Sequence, residues 1–99
     1  MRNYIPCSQH WKDMFSQYPF YKAKDKFSVK QIKHKELRNQ LDMREVFNML
    51  LNFNKEAWMP ITLNKEYFLI DGQHRLVLAE QMGLEYIDVV VLDEKLLKL

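Results

Sequence analysis

Only two of the 99 residues are glycine, Gly72 and Gly83, and they bracket a single ten-residue run, QHRLVLAEQM. Glycine is needed where the backbone takes positive φ or where another group approaches it closely. A chain this poor in glycine therefore marks its special turns plainly. Leu76, Val77, Ala79 and Met82 make the bracketed run apolar over much of its surface, so it reads as a helix over 73–82, with Gly83 just past its end. Upstream, YFLI leads straight into Asp71-Gly72, so a strand turns sharply into that helix.

The remaining elements follow from periodicity. Residues 26–33 approximate alternation and read as a first strand. Asp42 with Glu45 three positions on resembles a capping box, and Met43, Val46, Phe47, Leu50 and Leu51 follow at helical spacing. A helix is expected over about 42–53. MPITLNKEYFLI then gives two short apolar runs around Asn64-Lys65-Glu66, the outline of a tight hairpin entered at Pro60. YIDVVVLD reads as a β-branched buried strand, and EKLLKL as a terminal helix. Strand, helix, strand, strand, helix, strand is the order of a small α+β domain with a short mixed sheet and flanking helices.

Residues 1–26 stand apart as an aromatic and basic extension. Pro6 and Pro19 bracket a twelve-residue stretch that suits a short helix, and Trp11, Phe15, Tyr18, Phe20 and Tyr21 are read as packing residues, with a base-stacking platform the functional alternative. A chain of this length buries only about 60–70% of its unfolded surface and makes one core. At 47% apolar it has the mass to build one. Its longest apolar runs, such as Val89 to Leu92, have four residues, far below the roughly 20 of a membrane-spanning helix. The lone Cys7 has no internal disulfide partner, and no basic stretch followed by an apolar core opens the sequence, which points to a cytoplasmic protein. His10, His34 and His74 lack metal-ligand spacing with Cys7.

Charge is unevenly distributed. Residues 1–40 hold nine Lys or Arg against three Asp or Glu, and residues 41–99 hold six against ten, so the first part is +6 and the second −4. A basic surface attracts nucleic acid, nucleotides or an acidic partner, although lysines scattered on a solvated face look the same in sequence.

The Asp-Gly turn offers sharper chemistry. A helix N-terminus carries unpaired N–H groups and a partial positive charge, which favour an anion. Here His74 and Arg75 add a hydrogen-bond donor and a bidentate cation, so Gly72, Gln73, His74 and Arg75 read as a phosphate cradle. The structural alternative is that Asp71 caps the helix, His74 faces solvent and Arg75 ion-pairs with Asp71 or Glu36.

ITLNKEYFLIDGQHRLVLAEQMGLEYIDVVVLD resembles the core of the ParB/sulfiredoxin superfamily, in which a strand, a D-G-x-H-R type turn and a helix precede a last strand. With SVKQI and MREVFNMLL upstream the resemblance covers about residues 27–93, so 27–99 is read as the ParB/sulfiredoxin-like domain. It implies a single domain whose turn binds nucleotide phosphates. Sulfiredoxins place their catalytic cysteine just before the histidine, where this chain has Gln73, and Cys7 lies outside the motif. ParB partition proteins carry an arginine-rich G-E-R-R version that binds CTP, joined to a DNA-reading helix-turn-helix domain. Free serine kinases read D-G-H-H-R and follow their first strand with a His-Glu pair that supplies a catalytic glutamate. Asp71, Gly72, His74 and Arg75 match that wording, Gln73 departs from it, and IKHKEL offers Glu36 one residue displaced.

What the resemblance implies is therefore an ATP, ADP or CTP site with magnesium at Asp71, and in an ATPase or phosphotransferase a catalytic role for Asp71 or Glu36. Two other expectations stand beside it. A DNA-associated accessory factor would use Lys22, Lys24, Lys26, Lys30, Lys33 and Lys35 on phosphates. A non-catalytic interaction module would use the aromatic arm to dock a partner or a second copy, giving a homo-oligomer.

Overall fold

The computed structural model describes residues 3–33 and 41–96. Its elements, in chain order, are α1 (Gln9–Ser16), β1 (Tyr21–Ser28), α2 (Met43–Leu51), β2 (Ile61–Leu63), β3 (Leu69–Asp71), α3 (Gln73–Gln81) and β4 (Tyr86–Leu92). The strands form one mixed sheet in the order β1-β4-β2-β3. β4 runs antiparallel to β1 and parallel to β2, and β3 returns antiparallel on β2 as the expected hairpin. The domain is thus α+β, as the sequence indicates.

β4 is central, and its residues 87–91 are buried on both sides of the sheet. That explains its apolar run: a strand covered on both faces has no side for a polar residue without a buried partner. Register places Phe27, Ile87, Val89 and Val91 with Ile61 and Leu63 on one face, and Thr62, Asp88 and Val90 on the other. Leu76, Leu78 and Ala79 of α3 join this core, together with Val46 and Trp58.

Three expectations need correction. The first strand lies at 21–28 rather than 26–33, and Val29–Gln31 is a 3-10 turn. Its register shifts between Lys24 and Phe27, where Lys26 adopts a positive φ of 54°. That bulge breaks the alternation of Tyr21–Lys24 from that of Phe27, which hid the strand's first half. β1 consequently crosses the position between residues 26 and 27. The amphipathic stripe of α2 is narrower than its spacing suggests: Val46 is buried, but Phe47 and Leu50 are exposed and Leu51 is 81% exposed. Of the expected terminal helix, Glu94–Leu96 is a 3-10 turn, and residues 97–99 lie outside the described residues.

The N-terminal segment is part of the sheet's packing. Tyr4 bridges Tyr86, Cys7 is buried, and the Trp58 indole donates to the Ile5 carbonyl at 3.0 Å. The rings of Phe15, Tyr18, Phe20 and Tyr21 pack on one another edge-on or tilted, at centroid distances of 4.9–6.0 Å. No helix among the described residues is long and apolar enough to cross a membrane.

Candidate functional site

The turn between β3 and α3 is built around Gly72. Its φ is +104°, and it occupies the N-cap of α3 without any side-chain cap bond. A Cβ here would lie 2.6 Å from Ile61 Cγ2 and 3.0 Å from Arg75 Nη2. Gly72 is therefore glycine for two reasons, backbone conformation and the close approach of β2 and the guanidinium. The left-handed cap lets β3 turn directly into α3, as expected from Asp71-Gly72.

Arg75 folds back over this turn. Nη2 lies 3.7 Å from Asp71 Oδ2, and Nη1 points at Met59 Sδ at 3.4 Å. Nε is buried without a partner. Guanidinium is a five-donor group, yet Nη1 meets a thioether, Nη2 a carboxylate beyond hydrogen-bond reach, and Nε no acceptor. The side chain is 16% exposed. Burial pushes its pKa down, against the opposing pull of Asp71 and Cys7. Asp71 itself is exposed at the end of β3, so the pair lies half in water and is weak.

His74 does not face open solvent. Its Nε2 accepts the backbone N–H of Asp42 at 3.3 Å and lies 3.6 Å from Glu45 Oε2. An Nε2 that accepts leaves the ring proton on Nδ1, the nitrogen turned away from that contact. Gln73 is the first residue of α3. The structure thus brings Asp71, Gly72, Gln73, His74 and Arg75 together at one turn, beside the N-terminus of α2. Glu36 and Lys35 lie outside the described residues. No group of three or more His, Cys, Asp or Glu suited to a metal occurs among the described residues.

The lysines separate into distinct environments. Lys26 lies over the rings of Tyr4 and Tyr86, and Lys33 over Phe68. Lys30 is exposed, whereas Lys22 and Lys24 converge with Lys65 on one cavity.

Sequence reasoning missed Asp88. This carboxylate is 1% exposed in the middle of β4. It accepts from Tyr4 Oη at 2.5 Å, from the Cys7 amide at 2.8 Å and from the Lys26 amide at 2.9 Å, with Lys12 Nζ at 3.6 Å. Burial and this hydrogen bond hold the Tyr4 phenol well above its ordinary pKa. Burial, reinforced by the Asp88 charge, pushes the Cys7 thiol up to about 12 even though Lys12 and Arg75 oppose it. The available signal was a lone acid inside YIDVVVL, since a charge in a strand buried on both faces must be partnered. Met59, against Arg75, left no signal in the sequence.

No protein-family model and no curated protein matches the chain. Its fold is similar to that of two solved ParB N-domain structures. The C2221 form of a pNOB8-like ParB-N domain superposes with a TM-score of 0.57 and 19% identity, over 74% of this chain and 30% of its own. A second pNOB8-like ParB N-domain structure gives 0.57 and 20% over 76% of this chain and 29% of its own. The chain therefore spans about 30% of the length of these neighbours, and at this identity the likeness establishes a ParB N-domain fold.

Proposed function

We propose that the β3–α3 turn is a phosphate-binding site for a nucleotide, ATP, ADP or CTP, within a ParB/sulfiredoxin-like domain. One observation carries this reading: Arg75 is largely buried at a glycine-floored helix N-terminus with its Nε unpartnered. A desolvated cation in that state is incompletely satisfied by the protein and gains most from an anion that supplies several acceptor oxygens. The D-G-x-H-R turn's resemblance to the phosphate-binding turn of the ParB/sulfiredoxin superfamily supports the reading, and the chain has a ParB N-domain fold.

In this reading Arg75 grips the phosphates, His74 donates through Nδ1–H, and the Gly72 and Gln73 amides complete the cradle. Magnesium, when bound, supplies charge neutralisation, with Asp71 as its one protein carboxylate; such ions are commonly held by one or two carboxylates plus phosphates. Should the site turn over, positioning and electrostatics are most of what phosphoryl transfer requires, and Asp71 is the group placed to orient the attacking oxygen.

The test is thermal melting with magnesium and ATP, ADP, CTP or GTP in turn. Ligand at 100 times its Kd adds about 2.7 kcal/mol of stability. A shift with one nucleotide that Arg75→Ala erases is the expected result. An unchanged melting temperature with all four would leave the turn as a structural cap.

A further inference from the structure

We infer that a second phosphate-binding pocket, separate from the Gly72 turn, is formed where Lys22 and Lys24 of β1 face Lys65 and Tyr67 of the β2–β3 hairpin across Val91.

The pocket follows from topology. β1 and β2 both pair with β4, so their side chains flank it, and Val91 lies between Lys22 on one side and Leu63 on the other. The cavity measures about 220 Å³ and is lined by Lys22, Lys24, Lys65, Tyr67, Val91 and Asp93. That is below the roughly 300–1,000 Å³ of drug-sized ligand sites and suits a small anion. It lies at the closed end of the hairpin, whereas the Gly72 turn lies at the open end, beyond Asp71.

The lining is prearranged. Tyr67 takes a positive φ of 69°, the left-handed position of a loop in which Asn64 Oδ1 accepts the amides of Glu66 and Phe68. Its ring packs on Phe27 at 5.0 Å. Lys24 Nζ lies over the Tyr67 ring at 5.3 Å and donates to its hydroxyl at 3.1 Å. A phenol that accepts from Lys24 keeps its own O–H as a donor. Lys65 is fixed by Asp93 at 3.1 Å, and Lys22 has no carboxylate within salt-bridge distance among the described residues.

Three ammonium groups against one carboxylate leave the pocket at +2. Compact ammonium charges together with a hydroxyl donor match the oxygens of a phosphate group. Lysines on an exposed edge strand also discourage strand pairing. That role would not require two of them to meet a third lysine from a different strand pair. The phosphate belongs either to a nucleic-acid backbone or to a free phosphate compound.

The experiment compares two charge-matched variants of the full chain, Lys22→Ala/Lys24→Ala in the pocket and Lys30→Ala/Lys55→Ala at exposed sites elsewhere, each checked for folding by circular dichroism. Lys22→Gln/Lys24→Gln replaces the first pair if it folds poorly. Probes are a fluorescein-labelled 20-base-pair duplex, read by anisotropy across a salt series, and inorganic phosphate, read by amide NMR shifts. The backbone source predicts that the pocket pair loses tenfold or more in duplex affinity, with a salt slope lower by about 2, against less than threefold for the control. Free phosphate as the source predicts shifts at Lys22, Lys24, Lys65 and Tyr67 that the pocket pair abolishes, without duplex binding. Equal losses from both pairs, or no response to either probe, overturns the pocket. In the phosphate titration, shifts at Lys22, Lys24, Lys65 and Tyr67 report this pocket and shifts at residues 71–75 report the turn, which separates this inference from the nucleotide reading.

Discussion

The imidazole of His74 accepts the backbone N–H of Asp42 at 3.3 Å, so the first turn of α3 caps the first turn of α2. In a capping box Glu45 would reach back to that same N–H. The box does not close: the Asp42 carboxylate accepts from Arg44 N at 3.0 Å, one residue short of the Glu45 amide, and His74 takes the acceptor position expected for Glu45. Two helix N-termini are thereby tied together beside Arg75, and the turn cannot move without disturbing α2.

Replacing Arg75 with methionine should separate stability from binding. The apolar isostere removes a desolvated cation whose pairing is poor, so the unliganded protein should be as stable as wild type or gain about 1–4 kcal/mol. Any nucleotide-dependent rise in melting temperature should vanish. A loss of stability in urea denaturation would show that Arg75 is a structural ion-pair partner instead.

Gly72→Ala and Gly83→Ala dissect the two reasons for glycine. Gly83 has φ +72° with nothing within 4 Å of an added Cβ, so alanine there should cost only the conformational term of about 1–2 kcal/mol. Gly72→Ala adds a clash with Ile61 and should cost about 1–3 kcal/mol more. Equal losses in chemical denaturation would mean that the Ile61 contact relaxes freely.

Asp88→Ala should be among the most damaging single changes, at about 3–5 kcal/mol, because it strands the Tyr4 hydroxyl and two amides and leaves Lys12 with Asp25 as its remaining carboxylate, at 3.5 Å. Tyr4→Phe removes one hydrogen bond to a charged group and should cost about 1.5–3 kcal/mol. Equilibrium unfolding measures both, and a near-neutral Asp88→Ala would contradict the role of this carboxylate in holding the N-terminal segment.

Cys7 should be unreactive in the folded protein. Burial and a thiol pushed up to about 12 leave little thiolate at pH 8, so thiol labelling should run on the order of a thousandfold slower than in denaturant. Rapid labelling in native buffer would indicate that the N-terminal segment opens locally.

Acid should erase the contribution of Lys65. Partial burial pushes the Asp93 carboxyl up, but the Lys65 side chain, the Lys95 amide and the nearby Lys65 and Lys22 charges outweigh it and hold the pKa below the ordinary value. A depressed folded value gives stability that is present above the unfolded pKa of about 3.9 and lost as pH falls through the folded one. The difference between wild type and Lys65→Ala should therefore be seen at pH 7 and shrink as pH falls below the unfolded value of about 3.9. A difference that stays constant with pH would assign Lys65 a packing role.

The local grammar of the chain was legible in its residues. Two glycines around an apolar run gave the turn and α3, an Asp-x-x-Glu start gave α2, and a β-branched run gave β4, because each is dictated by backbone sterics or by periodicity within a few positions. The D-G-x-H-R wording resembles the ParB/sulfiredoxin superfamily, and the chain has the fold of a ParB N-domain. Features resting on partners distant in sequence were decided only in the folded molecule. Asp88 is tolerated because Tyr4, Cys7 and Lys12 reach it from more than 70 positions away, and His74 turns to Asp42 because α2 and α3 pack together. Lys22 and Lys24 share a cavity with Lys65 although Lys26, in the same run, is turned aside by the bulge to lie over Tyr4 and Tyr86. Periodicity assigns a side chain to a face, but which charges meet depends on strand order and register, and those are set by the packing of the whole chain.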